Sequence, residues 1–192
     1  PMNNNYPESL RKWSTTIGRN TSKAFDQYGW TYAKAENYDL YFPGYWDSYP
    51  AFNGAIAATY ETSGGGKKGY AWRRPDGSIA TLRNAIHKHF TADIATLEVL
   101  ADNRKGILMD FYNFFKSGMD EASSEPYKTY IIHEQNDDGR TKDLIDLLLK
   151  HHIEVYKTKS PVSAKKSQTY FDRNFKAKTF PTGSYVIPMR QP

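Results

Sequence analysis

Apolar residues recur at helical spacing over residues 8–28, where Leu10, Trp13 and Ile17, then Ala24 and Phe25, mark one side. Pro7 just before them suits a first turn. A second stripe, Leu82, Ile86, Phe90, Ile94, Leu97 and Ala101, predicts a helix over 81–103 with that face toward a core. Ile107, Leu108, Phe111, Phe114 and Phe115 extend the helical pattern over 104–118. Between these lie shorter signals. Trp30 and Tyr32 alternate within 29–36 and predict a strand. Residues 55–62 (AIAATYET) predict a buried strand with Glu61 at its C-terminal end. Residues 63–69 (SGGGKKG) predict a flexible turn, and 70–75 followed by Asp76-Gly77 a hairpin. Residues 119–126 (MDEASSEP) predict a linker.

The remainder has a βαβ rhythm. Residues 127–133 and 153–157 predict strands, and 140–152 a helix carrying Leu144, Ile145, Leu147 and Leu148. A helix between two strands in so short a unit predicts a parallel pair with a right-handed crossover. Residues 179–188 predict a turn and a last strand. The chain is thus expected to be α/β, with a first domain over 1–120 and a small βαβ domain over 127–192.

Hydrophobic residues make up 39% of the 192 positions and charged residues 24%, a globular balance. The core must lean on rings, since there are 15 Tyr, 10 Phe and 4 Trp. There is no cysteine, which excludes disulfides, thiol nucleophiles and cysteine metal sites. No apolar run approaches the roughly 20 residues that cross a bilayer. The net charge is +5, yet the cations look dispersed apart from Lys67-Lys68, Arg73-Arg74 and Lys165-Lys166. No basic helix or ribonucleoprotein signature accompanies them, so neither a nucleic-acid nor a membrane partner is expected.

Candidate chemistry is sparse. His87 and His89 would share a face on a strand, but on a helix they stand about 200° apart and cannot reach one ion. His151-His152-Ile153-Glu154 has a local zinc-site spacing without a third ligand after it, and it falls where a helix hands over to a strand. Gly64-Gly65-Gly66-Lys67-Lys68 lacks the ending of a phosphate loop. The ring-rich stretch 37–54 holds two prolines and Gly44, which break both periodicities and predict a long ordered loop. Such a loop costs entropy that a function or a packed interior must offset. Glu61 would stand near it, with Asp47 in the loop itself.

Tyr41-Phe42-Pro43-Gly44-Tyr45-Trp46-Asp47-Ser48-Tyr49-Pro50, Asn53-Gly54-Ala55-Ile56 and Thr59-Tyr60-Glu61 together resemble a bacterial branch of the zinc carboxypeptidases of the carboxypeptidase A type. Arg74-Pro75-Asp76-Gly77, Thr81-Leu82-Arg83, His89-Phe90 and the closing stretch 179–188 are similar to later parts of the same proteins. The resemblance implies a partial mixed sheet with flanking helices, hydrolysis of C-terminal residues from peptides, and zinc held by two histidines and a glutamate. It puts Glu61 at the general base, Asp47 in the pocket for the departing side chain, and Tyr41 or Tyr45 at a mobile tyrosine that closes over substrate. It implies zinc ligands in residues before this chain, so that the chain alone would be inactive. It also implies export, to the periplasm or the medium. A sheet missing part of its strands exposes apolar edges, so self-association is expected. The alternative is a noncatalytic module that binds peptide or carbohydrate on the aromatic loop 38–52.

Overall fold

The computed structural model describes residues 2–34, 40–62, 71–133, 137–172 and 174–192. Among the described residues, helices and three small antiparallel sheets make up the regular structure, and the chain forms two compact units, 1–114 and 115–192. The expected turn at 63–69 and the start of the aromatic loop lie outside the described residues.

In the first unit, helix α1 (Glu8–Asp26) buries Leu10, Trp13, Ile17 and Thr21, spaced three to four apart as a core-facing stripe must be. Its partner is α3 (Leu82–Asp102), which turns Ala92, Ala95 and Val99 inward. Two alanines there let the helices approach closely. Full burial of Leu10 or Ile17 contributes about 1.5–3 kcal/mol each. Asn20 adds a hydrogen bond from Nδ2 to the Ala95 carbonyl at 2.8 Å. The short helix α2 (Ser48–Ala51) lies between them in sequence. Ahead of α3, strands β1 (Ala71–Arg73) and β2 (Ile79–Thr81) form the expected hairpin, with Gly77 at φ 85° in the turn. Thr81 closes the hairpin and caps α3, its hydroxyl accepting from the Asn84 N–H at 3.1 Å.

Several expectations fail here. No strand forms over the described residues of 29–36, and 55–62 joins no ladder and is only half-buried. A strand needs a neighbour, and among the described residues none pairs with 55–62: the β1–β2 sheet stays two-stranded. The α3 stripe is also reversed from expectation. Ile86, Phe90, Ile94 and Leu97 are 41–63% exposed, while the smaller Ala92, Ala95 and Val99 are buried. Helix α4 (Arg104–Glu121) runs through the start of the predicted linker and has no buried residue.

In the second unit, β3 (Thr129–Ile132), helix α5 (Asp138–Lys150) and β4 (Tyr156–Lys157) follow the predicted order. Asp137 caps α5 by accepting from the Arg140 N–H at 2.9 Å. The predicted parallel pair does not form. The last strand, β7 (Tyr185–Pro188), inserts between β3 and β4 and is antiparallel to both. β3 and β4 therefore point the same way without touching as neighbours. Nor is there a mixed sheet among the described strands. A second hairpin, β5 (Val162–Ser167) with β6 (Lys176–Phe180), was not foreseen.

Candidate functional site

The aromatic loop is anchored from beneath. Tyr6, Leu10 and Ala51 form a small core against which Met2, Leu40, Phe52, Ile56 and Ala57 pack. Tyr6 donates its hydroxyl to the Ser48 carbonyl at 3.2 Å, and its ring tilts against Phe52 at 4.6 Å. Asn3 donates from Nδ2 to the Tyr41 carbonyl at 2.9 Å. The loop thus has the packed underside expected of an ordered loop, with α2 as its one helical turn.

Asp47 is buried, and Ser48 fully so. A buried carboxylate needs donors, because desolvation penalises its charge. Thr59 supplies one, its hydroxyl donating to Asp47 Oδ2 at 2.5 Å. Ser48 supplies a weaker one to Oδ1 at 3.4 Å. This pair ties the aromatic loop to segment 55–62. Tyr60 holds the same segment to α3, its hydroxyl 2.8 Å from Thr96 Oγ1. Glu61 is exposed and follows directly. Two residues past Thr59, its Cα lies within roughly 7 Å of the Thr59 Cα by chain length alone.

Asp47 is therefore brought to the segment carrying Glu61, though as a buried tie and not as an open pocket wall. Tyr41 and Tyr45 are about half exposed. Tyr45 meets Phe42 edge-on, at 5.3 Å and 80°, and its carbonyl accepts from the Tyr49 N–H at 2.9 Å. Trp46 is 78% exposed. Sequence reasoning missed Tyr6 and gave Ser48 and Thr59 no role of their own. A hydroxyl twelve residues from its carboxylate leaves no periodic signal.

Adjoining the small core through Leu10 and Ile56, an apolar groove of about 330 Å³ is also lined by Trp13, Leu100, Ile107 and Phe114, among others. Asp110 is its one charged wall, accepting from Trp13 Nε1 at 2.8 Å. None of Tyr41, Tyr45, Asp47 and Glu61 lines it. His87 stands edge-on to the stacked rings of Tyr28 and Trp30, 5.0 and 4.9 Å from them. Beside it, burial and then the Arg74 charge lower the Lys88 ammonium below its usual range. His151 and His152 end α5: the Ile153 and His152 amides return to the Leu148 and Leu149 carbonyls, both at 3.0 Å. Among the described residues, no group of three or more His, Cys, Asp and Glu is placed to hold a metal.

Comparison with protein-family models, with curated proteins and with solved structures finds no match for this chain. The carboxypeptidase resemblance rests on the residues quoted for it.

Proposed function

We propose that this chain carries the general base, Glu61, of a zinc metallocarboxypeptidase that removes C-terminal residues from peptides. The observation that supports this reading most is the bond between Thr59 and the buried Asp47. It fixes the segment leading to an exposed carboxylate against an aromatic loop, which is what a base beside a substrate cleft requires. Such a carboxylate takes a proton from the attacking water and returns it to the leaving amine. Rigid support two residues away keeps its position from drifting.

A second support is the uncovered stripe Ile86, Phe90, Ile94 and Leu97. Four large apolar side chains in one line suit a helix that packs on a sheet in a longer protein. The described residues do not fit a zinc site by themselves. Under this reading the ligands come from elsewhere in that longer protein, and only the step at Glu61 belongs to this chain.

The test is Glu61→Gln in the longer, zinc-loaded protein, with trimming of peptides followed by mass spectrometry. Loss of a general base lowers kcat about 10²–10⁴-fold, with zinc content unchanged. Full activity in the variant overturns the reading. The exposure of Trp46, Tyr41, Phe42 and Tyr45 favours a second reading, a noncatalytic surface for peptide or carbohydrate. Against it, Phe42 and Tyr45 are nearly perpendicular and offer no flat platform. If that reading holds, Trp46→Ala abolishes binding and Glu61→Gln leaves it intact.

A further inference from the structure

The net charge of the chain is concentrated in one place. Residues 156–180 contain seven Lys and Arg and one acidic residue, Asp172, a net +6 against +5 for the whole chain. Everything outside this segment therefore sums to −1. Part of this stretch folds as the β5–β6 hairpin, which brings Lys165 and Lys166 on one strand beside Lys176 and Lys178 on the other, while Lys157 lies in β4 against β7.

The hairpin tip carries the most exposed rings among the described residues. Tyr170 is 92% and Phe171 95% exposed. They are not loose ends of a floppy loop. The Thr169 amide donates to the Asp172 carbonyl at 3.2 Å, and the Asp172 amide to Thr169 Oγ1 at 3.1 Å. Asp172 Oδ1 accepts from the Asn174 amide at 3.0 Å, and Oδ2 pairs with Lys176 Nζ at 2.6 Å. Tyr127 braces the base, donating to Gln168 Oε1 at 2.5 Å and lying 6.4 Å from the Phe175 ring. The turn is preorganised to hold two large apolar surfaces in water.

Register places the lysines on both sides of the ribbon. Lys178 pairs with Ala164 and Phe180 with Val162, so Lys178 and Lys176, two apart, share the side of Phe180. At the bulge, Lys165 and Lys166 both stand opposite Ala177, which faces the other way. All four lysines are exposed. The result is an aromatic tip with a cationic collar behind it.

We infer that this hairpin is a membrane-surface anchor: Tyr170 and Phe171 enter the interface of an anionic bilayer, and Lys165, Lys166, Lys176 and Lys178 meet its headgroups. This runs against the expectation from sequence, which was of no membrane partner. A ring pair at a tip, apolar body first, matches interfacial insertion, and lysines one to three strand positions back match the headgroup level. Single-stranded nucleic acid fits less well. Stacking needs open parallel faces, whereas Tyr170 and Phe171 meet at 87°. A strand lying along one side of the ribbon would also leave half the lysines unused. Among the described residues no helix is long and apolar enough to cross a membrane, and the contact proposed is peripheral.

The test is sedimentation of the 192-residue chain with phosphatidylcholine vesicles, with and without phosphatidylserine. Oligo-dT binding is measured in parallel. Binding is expected only with phosphatidylserine, and it weakens as salt shortens the screening length. Tyr170→Ser with Phe171→Ser is expected to lower the affinity at least about ten-fold. Lys165→Ala with Lys166→Ala is expected to lower it about 25-fold, roughly five-fold for each lysine. All four sites are exposed, and circular dichroism verifies that the variants stay folded. Absence of binding to anionic vesicles, or binding unchanged in the tip variant, overturns the inference. So does tip-dependent binding of oligo-dT that exceeds vesicle binding, which assigns the hairpin to nucleic acid instead.

Discussion

Replacing Asp47 and Thr59, singly and together, measures the bond on which the candidate site rests. Thr59→Val keeps the side-chain shape and removes the donor. Among the described residues, it leaves a buried carboxylate with only the 3.4 Å contact from Ser48. Hydrogen bonds to charged groups contribute about 1.5–3 kcal/mol, so this variant is expected to lose about that much. Asp47→Ala removes the acceptor and leaves the Thr59 hydroxyl, half-buried and able to reach water, for a smaller loss of about 1–2 kcal/mol. If the pair interacts as described, the double variant is less destabilised than the sum, by about 1.5 kcal/mol or more. The assay is urea unfolding followed by tryptophan fluorescence. Trp13, Trp30, Trp46 and Trp72 are all the tryptophans in the chain and all lie within 1–114. The signal therefore reports the unit holding the site and is blind to the unfolding of the other, which keeps a two-state treatment sound. A coupling below about 0.5 kcal/mol, the level of independent sites, refutes the account of a buried tie.

Three further outcomes are expected. Gly54 has φ 80°, and a Cβ there would lie 2.8 Å from Phe114 Cδ1; Gly54→Ala combines left-handed strain of about 1–2 kcal/mol with that clash, and lowers the tryptophan-detected urea midpoint. His152 holds φ 59° at the end of α5, where glycine is the favoured residue; His152→Gly is expected to stabilise the second unit by about 1 kcal/mol, and an unchanged or lower midpoint by far-ultraviolet circular dichroism refutes it. The Lys176 ammonium, and after it the Asn174 amide, hold the Asp172 carboxyl below the ordinary 3.8. A depressed folded value means the contribution is full above the ordinary range and lost as pH falls through the lower folded value, so amide exchange near Asn174 is expected to quicken only in strong acid.

Local patterns carried much of the fold and little of the site. The stripe of Leu10, Trp13 and Ile17 was legible because a helix shows its period within twenty residues. Asp76-Gly77 marked its hairpin because the turn demands those residues. Periodicity also showed that one side of α3 is apolar, but not that anything in this chain covers it. Ile86 and Phe90 read as core residues and stand in water for that reason. The neighbour of β3 could not be read locally, since its partner β7 lies more than fifty residues away. The β5–β6 hairpin escaped because its outward positions are lysines, which carry no strand signal. At the site, Asp47 and Glu61 were singled out from the sequence, while the tie through Thr59 needed the folded chain.

The insertion of β7 between β3 and β4 bears on how the protein is made. A ribosome delivers β3, α5 and β4 first, and neither strand can pair until residues 185–188 emerge. At about 5–20 residues per second, synthesis of the stretch between β4 and β7 takes roughly one to five seconds. Through that interval two strand edges wait unpaired on the nascent chain, open to any passing strand. The residues made during the wait are the lysine-rich hairpin, and its like charges repel a second nascent copy while the sheet is still incomplete.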